Sequence, residues 1–460
     1  MKGFWTRTLF ALTVIVLFAS IAGFIYFSEN KYFLASVVAV TVIITFLRSE
    51  YSFYAIAFLT PILFRSPKVF GTNNYSVAEL VVLATLFSWT VSQVFSGKFK
   101  LGETALDVPL VLFLLFTLVS VIQPLSQVEF QTGFFGSDTP LYSLKVVVDT
   151  LVLVLLYFSV TRRFRRRYLA KTVAFLIAGL IITSSYGLYQ YFKFVPQDEW
   201  FLKTSRISVI HLVKSTFNHH NIFGAYLILV FPLLLSLTGY YKGTTKYGLT
   251  TLCLIPLLAL LSSHSRSAWL GFAASLMVFS SLRERKVFYG VIAVFFVLST
   301  LFLVFPDFRE ITYVDRMLKS GGQIGERIGC YGKVVDGILE NPLGIGVGTF
   351  RQKEVCGIYH HAHNIFLHIA VERGVFALSV FLIFLFAFFR EVYSRKLKDA
   401  YAMRVVIGFS AGILAILVQG LLDYPFYDQR IGIMFFLIVG IVVRLKEEGE
   451  STSPNAELIP

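Results

Sequence analysis

The chain has 460 residues, 56% of them hydrophobic and 15% charged, with a mean hydropathy of +0.72. Soluble domains carry about a quarter charged residues, so this composition excludes one and points to an all-α polytopic membrane protein. A formal net charge of +14 then suggests basic cytoplasmic loops and anionic lipid as the bilayer partner, and no nucleic acid.

Taken in order, the first apolar run, 8–27, lacks a small-residue cleavage site and is long for a signal peptide. It reads as a retained first helix. Further runs that span, or nearly span, fall at 32–47, 52–64, 76–96, 106–123, 141–160, 169–193, 221–239, 246–263, 267–282, 287–305, 364–389, 403–423 and 429–443. The runs at 32–47 and 52–64 are short, and Pro61 interrupts the second, so the expectation is about 12–14 transmembrane helices. They form a single integral membrane domain, 1–460, with no soluble domain appended. The polar tail, 447–460, reads as disordered and cytoplasmic.

Orientation follows from Lys and Arg in the short loops. Lys2 and Arg7, Lys98 and Lys100, the run TRRFRRR at 161–167, Arg283 to Lys286, Arg390 to Arg404, and Arg444 with Lys446 fall in alternate connections. Both termini are therefore expected inside, and the long hydrophilic stretch 306–362 outside. A loop that long carries function or is disordered. Its glycine series (Gly344, Gly346, Gly348) and alternating apolar residues argue for order. Cys330 and Cys356 both lie in it and can pair in an oxidising compartment. Cys253 sits in an apolar run and reads as packing.

Charges inside apolar runs stand out. Lys145 and Asp149 lie one helical turn apart and neutralise each other as an intrahelical pair. Arg266 stands in SSHSRSAWLG, a very short turn between two helices, where it either snorkels to the interface or faces a polar cavity. One tetrapeptide occurs twice, as His220-Asn221-Ile222-Phe223 and His363-Asn364-Ile365-Phe366, each opening a helix after an outer loop. In one reading Asn caps the helix and His sits at headgroup level. In the other, the free N–H groups and positive dipole end hold an anion, and the imidazole takes a proton from an incoming hydroxyl.

The remaining outer charges are mostly cations: Arg206, Lys214, Arg316, Lys319, Arg327, Arg351 and Arg373. Guanidinium groups clamp phosphate in bidentate fashion, which suits a lipid-linked diphosphate; phospholipid headgroups are the alternative. His360, His361 and His363 invite a zinc reading. Adjacent histidines point in different directions, however, and no acidic or thiol partner sits at ligand spacing, so no metal is expected. No D-x-D pair offers a divalent site for a nucleotide sugar, and no P-loop suggests ATP-driven transport.

The order of features resembles the O-antigen ligase / O-antigen polymerase superfamily of bacterial envelope glycosyltransferases. The matching pieces are STFNHHNIFGAYL at 215–227, SHSRSAWLG at 263–271, GERIGCYGKVVDGILENPLGIGVGTF at 325–350, HAHNIFLHIAVERGVFAL at 361–378 and LLDYPF at 421–426. The ligase pattern runs His-Asn, nine residues, then G-x-x-G. Here His363-Asn364 is followed by nine residues and Gly374, with Ala377 in place of the last glycine. The resemblance implies an all-helical fold of the C-type glycosyltransferase kind at the outer face of the inner membrane. It implies transfer of a glycan from an undecaprenyl-diphosphate donor to a sugar hydroxyl of lipid A-core, with inversion and without cofactor, ATP or metal. By position, Arg266 and Arg327 resemble the residues that hold the diphosphate, with Arg206 a further candidate. His363 resembles the residue that orients or deprotonates the acceptor, and Asn364, Asn221, His220 and Asp423 are supporting candidates.

The polymerase of the same superfamily uses the same donor but a second lipid-linked glycan as acceptor. One polymerase type carries R-x15-G in both outer loops. Here 17 residues separate Arg206 from Gly224 and 16 separate Arg327 from Gly344, which favours the ligase. A transporter of lipid-linked sugars would also want outer arginines, but no imidazole at the mouth of the site.

Overall fold

The computed structural model describes residues 11–18, 31–48, 50–62, 77–96, 103–122, 142–193, 212–281, 322–350, 355–357, 361–394 and 397–451, with a few isolated positions besides. All regular structure among them is helical. The first helices are α1 (Lys31–Leu47), α2 (Glu50–Ile62), α3 (Val77–Ser96), α4 (Asp107–Ser120), α5 (Tyr142–Arg163) and α6 (Leu169–Phe192). They continue with α7 (His220–Thr238), α8 (Gly243–Leu252), α9 (Leu254–Ser262) and α10 (Arg266–Ser281). After these come α11 (Gly322–Glu340), α12 (Ile365–Arg373), α13 (Val375–Ser394), α14 (Ala400–Gln419) and α15 (Gln429–Ser451).

Seven of the described segments are long and apolar enough to cross a membrane, and Leu34–Leu47 and Asp107–Ser120 are shorter apolar helices. The protein is thus an all-α polytopic membrane protein. The expected span at 287–305, apart from Tyr289 and Ala293, and half of that at 8–27 lie outside the described residues. Large side chains on α13 such as Leu382, Ile383 and Phe386 remain exposed, as suits a face turned to lipid rather than water.

The bundle is built around α14. Without a hydrophobic drive between helices in lipid, close approach depends on small residues. On α14, a Cβ added at Gly412 would lie 2.0 Å from the Leu229 carbonyl oxygen of α7, and one at Gly408 would lie 2.5 Å from Leu233 Cα. From its other neighbour, α10, a Cβ on Gly271 would lie 2.4 Å from the Ala415 oxygen. Backbone therefore meets backbone on both sides of α14, and this fixes the ends of α7, α10 and α14 relative to one another.

Several boundaries differ from the sequence reading: the helix expected over 403–423 ends at Gln419, which leaves Asp423 in the turn beyond it, and two further differences are larger. The apolar run 364–389 is not one helix: it breaks at Gly374, which takes φ +86°. Hydropathy is continuous across the break, but the Val375 N–H bonds to the Pro342 carbonyl at 2.9 Å, and a Cβ on Gly374 would lie 2.6 Å from Leu343. The span is Val375–Ser394, and α12 is a separate nine-residue helix before it. The polar tail also starts later than 447, because α15 runs to Ser451. Arg444 pairs with Glu447 and Glu448 one turn further on, which extends the helix past its apolar part.

The long hydrophilic stretch contains α11, and the glycine series wraps the end of α12. Ile345 and Gly346 donate to the Val371 and Glu372 carbonyls at 2.8 and 3.1 Å, with φ of +95°, +108° and +74° at Gly344, Gly346 and Gly348. A small core of Cys330, Val334, Ile345, Phe350, Cys356, Ala362 and Val371 fills the space beneath. Cys330 and Cys356 are joined by a disulfide, Cα to Cα 5.1 Å. The bridge ties α11 to the segment that leads into His361–Asn364.

The bridge closes a loop with a sequence separation of 26, and bridges of that size contribute roughly 2–4 kcal/mol. We expect Cys330→Ser to lower the thermal midpoint in detergent, and reductant to do the same to the native chain but not to the variant. Equal midpoints in all three would contradict this role.

Candidate functional site

Four short connections meet at one end of the bundle: residues 212–219 before α7, 263–265 before α10, 361–364 before α12, and 420–428 between α14 and α15. They are stitched by specific bonds. His220 Nδ1 lies 2.9 Å from the Ser263 carbonyl, Gln419 Nε2 donates to Asn221 O at 3.1 Å, and Ile365 N–H donates to Gly420 O at 2.7 Å. Asn364 Nδ2 donates to Leu421 O at 3.0 Å, while its Oδ1 accepts the Phe366 and Leu367 N–H groups and caps α12. In the matching tetrapeptide the cap is not Asn221 but His219, whose Nδ1 accepts the Asn221 N–H at 3.2 Å. Helices α7, α10 and α12 all present their N-termini here, so the local field favours an anion.

Ser215, His264 and His363 are the non-glycine residues with positive φ among those described, at 51°, 52° and 49°. Each sits in one of the connections that precede these three helices. Left-handed backbone costs about 1–3 kcal/mol per non-glycine residue and tends to be kept where geometry serves function.

His363 is half-buried, and its Nδ1 lies 3.3 Å from Asp423 Oδ1. Tyr331 fixes its backbone, donating its hydroxyl to the His363 carbonyl at 3.0 Å. Asp423 is 4% exposed and accepts the Tyr424 N–H at 2.9 Å. Burial alone would raise its carboxyl, but the His363 hydrogen bond and the neighbouring His361 and His363 imidazoles outweigh this and hold it below the usual carboxylate range. With Nδ1–H turned to an ionised carboxylate, Nε2 is the proton acceptor of the pair.

Arg266, first residue of α10, and Arg327, on α11, lie near enough for their charges to repel. Arg327 donates to the Leu422 carbonyl at 3.0 Å. Among the described residues neither guanidinium has a carboxylate partner, whereas Arg162 and Arg430 each do. His219 adds a further imidazole, within electrostatic reach of Asp423, His363, Lys214 and Arg327. Burial pushes His264 down to about 4, so it stands neutral beside them.

The structure thus brings together His363, Asp423, Asn364, Arg266, Arg327, His220 and Asn221. Arg206, Arg316, Lys319, Arg351 and His360 lie outside the described residues. Arg373 does not join the site: it is buried beside Glu372, over the Phe113 ring. It lines a cavity of about 130 Å³ beneath Tyr424, together with His368, Glu372, Lys145 and Asp149. Lys145 and Asp149 form the expected intrahelical pair, at 2.5 Å. The histidine cluster also has an acidic neighbour. Asp423, 60 residues from His363 in sequence, supplies the acidic partner that local spacing lacks, and one ligand atom each of His361, His363 and Asp423 lie within 4.8 Å of one another.

Sequence reasoning missed His219, His264, Tyr331 and the pair Asp428–Arg430. The first two stand in quoted motifs, NHHNIF and SHSRS, and their types were the signal. Arg430 bonds Asp428 at 2.6 Å, donates to the Thr216 carbonyl at 3.0 Å and lies over the Phe217 ring, all while buried. It anchors the connection that carries His219.

The fold and this site define the class: a helical, multi-pass membrane protein with a cationic, histidine-bearing end. Residues 251–382 match the family model described as O-antigen ligase, a stretch holding Arg266, Arg327 and His363. That match places the stretch in the O-antigen ligase superfamily, as the motifs suggested. No curated protein matches the chain.

Removing one member of a buried ion pair strands the other, at a cost of about 3–5 kcal/mol. Arg430→Leu is expected to lower the thermal midpoint markedly, and Asp428→Leu/Arg430→Leu to recover much of it. A single variant as stable as the native chain would show that the pair does not hold the 212–219 connection.

Proposed function

We propose that the protein is an O-antigen ligase-like glycosyltransferase. It moves a glycan from an undecaprenyl-diphosphate donor to a hydroxyl of lipid A-core, at the periplasmic face of a bacterial inner membrane. The observation that carries this reading is that Arg266 and Arg327, two guanidinium groups within electrostatic reach of each other and with no carboxylate partner among the described residues, stand at the end of the bundle that holds the His363–Asp423 pair. Like charges held together in this way call for a multiply charged anion between them, and a diphosphate supplies one.

In this mechanism the acceptor hydroxyl attacks the anomeric carbon opposite the diphosphate, which inverts that centre. The sugar–phosphate C–O bond breaks as the new C–O bond forms, and the electron pair leaves with the diphosphate. Arg266, Arg327 and the helix N-termini stabilise the charge that develops there. The hydroxyl proton passes to His363 Nε2, and Asp423 stabilises the imidazolium. Asn364 caps α12 and keeps His363 in place.

The basic connections support the orientation. Arg166 pairs with Asp399, Arg444 donates to the Phe164 carbonyl and Lys446 to the Val392 carbonyl. These charges gather at the opposite end of α5, α13, α14 and α15 from His363, the end that faces the cytoplasm under the positive-inside rule. A cysteine placed at the exposed Lys333 is expected to react with a membrane-impermeant maleimide in spheroplasts. Reaction only after lysis would overturn the periplasmic assignment.

The direct test is transfer by purified protein from lipid-linked donor to lipid A-core. His363→Ala is expected to lose about 10²–10⁴ in rate with donor binding retained, and His220→Ala to lose far less, because its imidazole serves the Ser263 carbonyl. Arg266→Lys is expected to weaken donor use, since a point charge does not reproduce the bidentate fork. Near-native transfer by His363→Ala would refute the catalytic assignment. Extension of a lipid-linked glycan in place of lipid A-core would make the chain a polymerase.

A further inference from the structure

We infer that His361, His363 and Asp423 form a binding site for a divalent transition metal, best suited to Zn²⁺, and that the bound ion switches glycan transfer off. Metal binding rests on the geometry alone; the inhibitory consequence also rests on the function proposed above.

One ligand atom from each of the three residues lies within 4.8 Å of the other two. His363 Nδ1 and Asp423 Oδ1 are 3.3 Å apart. Two donors on a tetrahedral zinc, with bonds of about 2.0–2.1 Å, stand roughly 3.3 Å from each other. That edge is already at ligating distance, and a small rotation of the half-buried His361 ring shortens the others. This ring sits between Tyr424 and Tyr427, with centroids 5.7 and 5.5 Å away, which limits it to a few orientations. His363 and His361 already face each other, their rings 4.4 Å apart.

The donor set selects the ion. Two imidazoles and one carboxylate suit zinc, cobalt or nickel, whereas magnesium and calcium prefer all-oxygen shells. Three protein ligands leave a fourth position open. Two contacts hold the ligating residues in place: Tyr331 bonds the His363 backbone carbonyl, and the Tyr424 N–H bonds Asp423 Oδ1. Opposing them, Arg327 and Arg266 repel a dication, so affinity falls below that of an isolated site of this type, and an anion in the fourth position offsets the repulsion.

Occupancy removes the base. The metal takes the lone pair of one His363 nitrogen and the other nitrogen carries the proton, so the ring can accept none. Asp423 is turned from the imidazole to the ion. His361 touches no reacting atom in the proposed transfer; it supports the pair through the His363 N–H, which its Nδ1 accepts at 3.4 Å, and through its charge near Asp423, so each variant is compared with its own rate in chelator.

The test uses full-length protein in detergent, stripped with chelator and titrated with Co²⁺ as a spectroscopic stand-in. We expect one equivalent to give visible d–d absorption, displaced by Zn²⁺. Asp423→Asn should lose the band. So should His361→Phe, which keeps a ring between the two tyrosines, and its own rate of transfer in chelator is the reference for the effect of metal. Zn²⁺ should lower native transfer by about 10²-fold or more, the worth of a positioned base, and leave His361→Phe nearly unaffected. No stoichiometric band, or a band unchanged in His361→Phe, overturns the site. A band without inhibition of an active enzyme overturns the switch. Because Co²⁺ binding is read without any transfer assay, a chain that binds metal but transfers nothing leaves the site standing and removes the functional reading instead.

Discussion

The site depends on the hydrogen bonds between the 361–365 segment and the turn that follows α14. Ile365 N–H to the Gly420 carbonyl, Asn364 Nδ2 to Leu421 and Arg327 to Leu422 place three successive carbonyls of that turn against α12 and α11. The approach is close: a Cβ on Gly420 would lie 2.3 Å from Ile365 Cδ1. This register sets Asp423 beside His363. The three bonds act together with the close Gly420 approach to hold the turn in this register.

Charge distribution separates structure from function in this molecule. Away from the site, the buried Arg162 is neutralised by Asp107 and Glu103, and Arg430 by Asp428. At the site, Arg266 and Arg327 repel each other while the nearby Asp423 faces His363 instead. Among the described residues no carboxylate pairs with either. Their persistence, together with left-handed backbone at Ser215, His264 and His363, marks the place where local stability gives way to geometry.

Much of this was legible in the sequence, for identifiable reasons. Hydropathy announced the spans because a bilayer demands long apolar helices, and two cysteines in one loop announced their bridge. Arg266, Arg327 and the two His-Asn-Ile-Phe segments stood out because charged and polar groups at helix ends are sparse in such a chain. What local pattern cannot carry is pairing across distance. Asp423 against His363 and Arg430 against Thr216 join residues 60 and 214 apart in sequence. The break at Gly374 was hidden for a different reason: hydropathy is blind to a positive φ. Of the two readings of the repeated tetrapeptide, the cap by Asn holds at Asn364, while before α7 it falls to His219.

The central claim is that the two arginines hold the donor diphosphate in front of the His363–Asp423 pair. A structure determined with a non-transferable diphosphate donor analogue tests it most directly. The account predicts phosphate oxygens within hydrogen-bond distance of both the Arg266 and Arg327 guanidinium groups, with the anomeric carbon on the side of His363 Nε2. Diphosphate density away from these arginines, for example in the cavity beneath Tyr424, would contradict it.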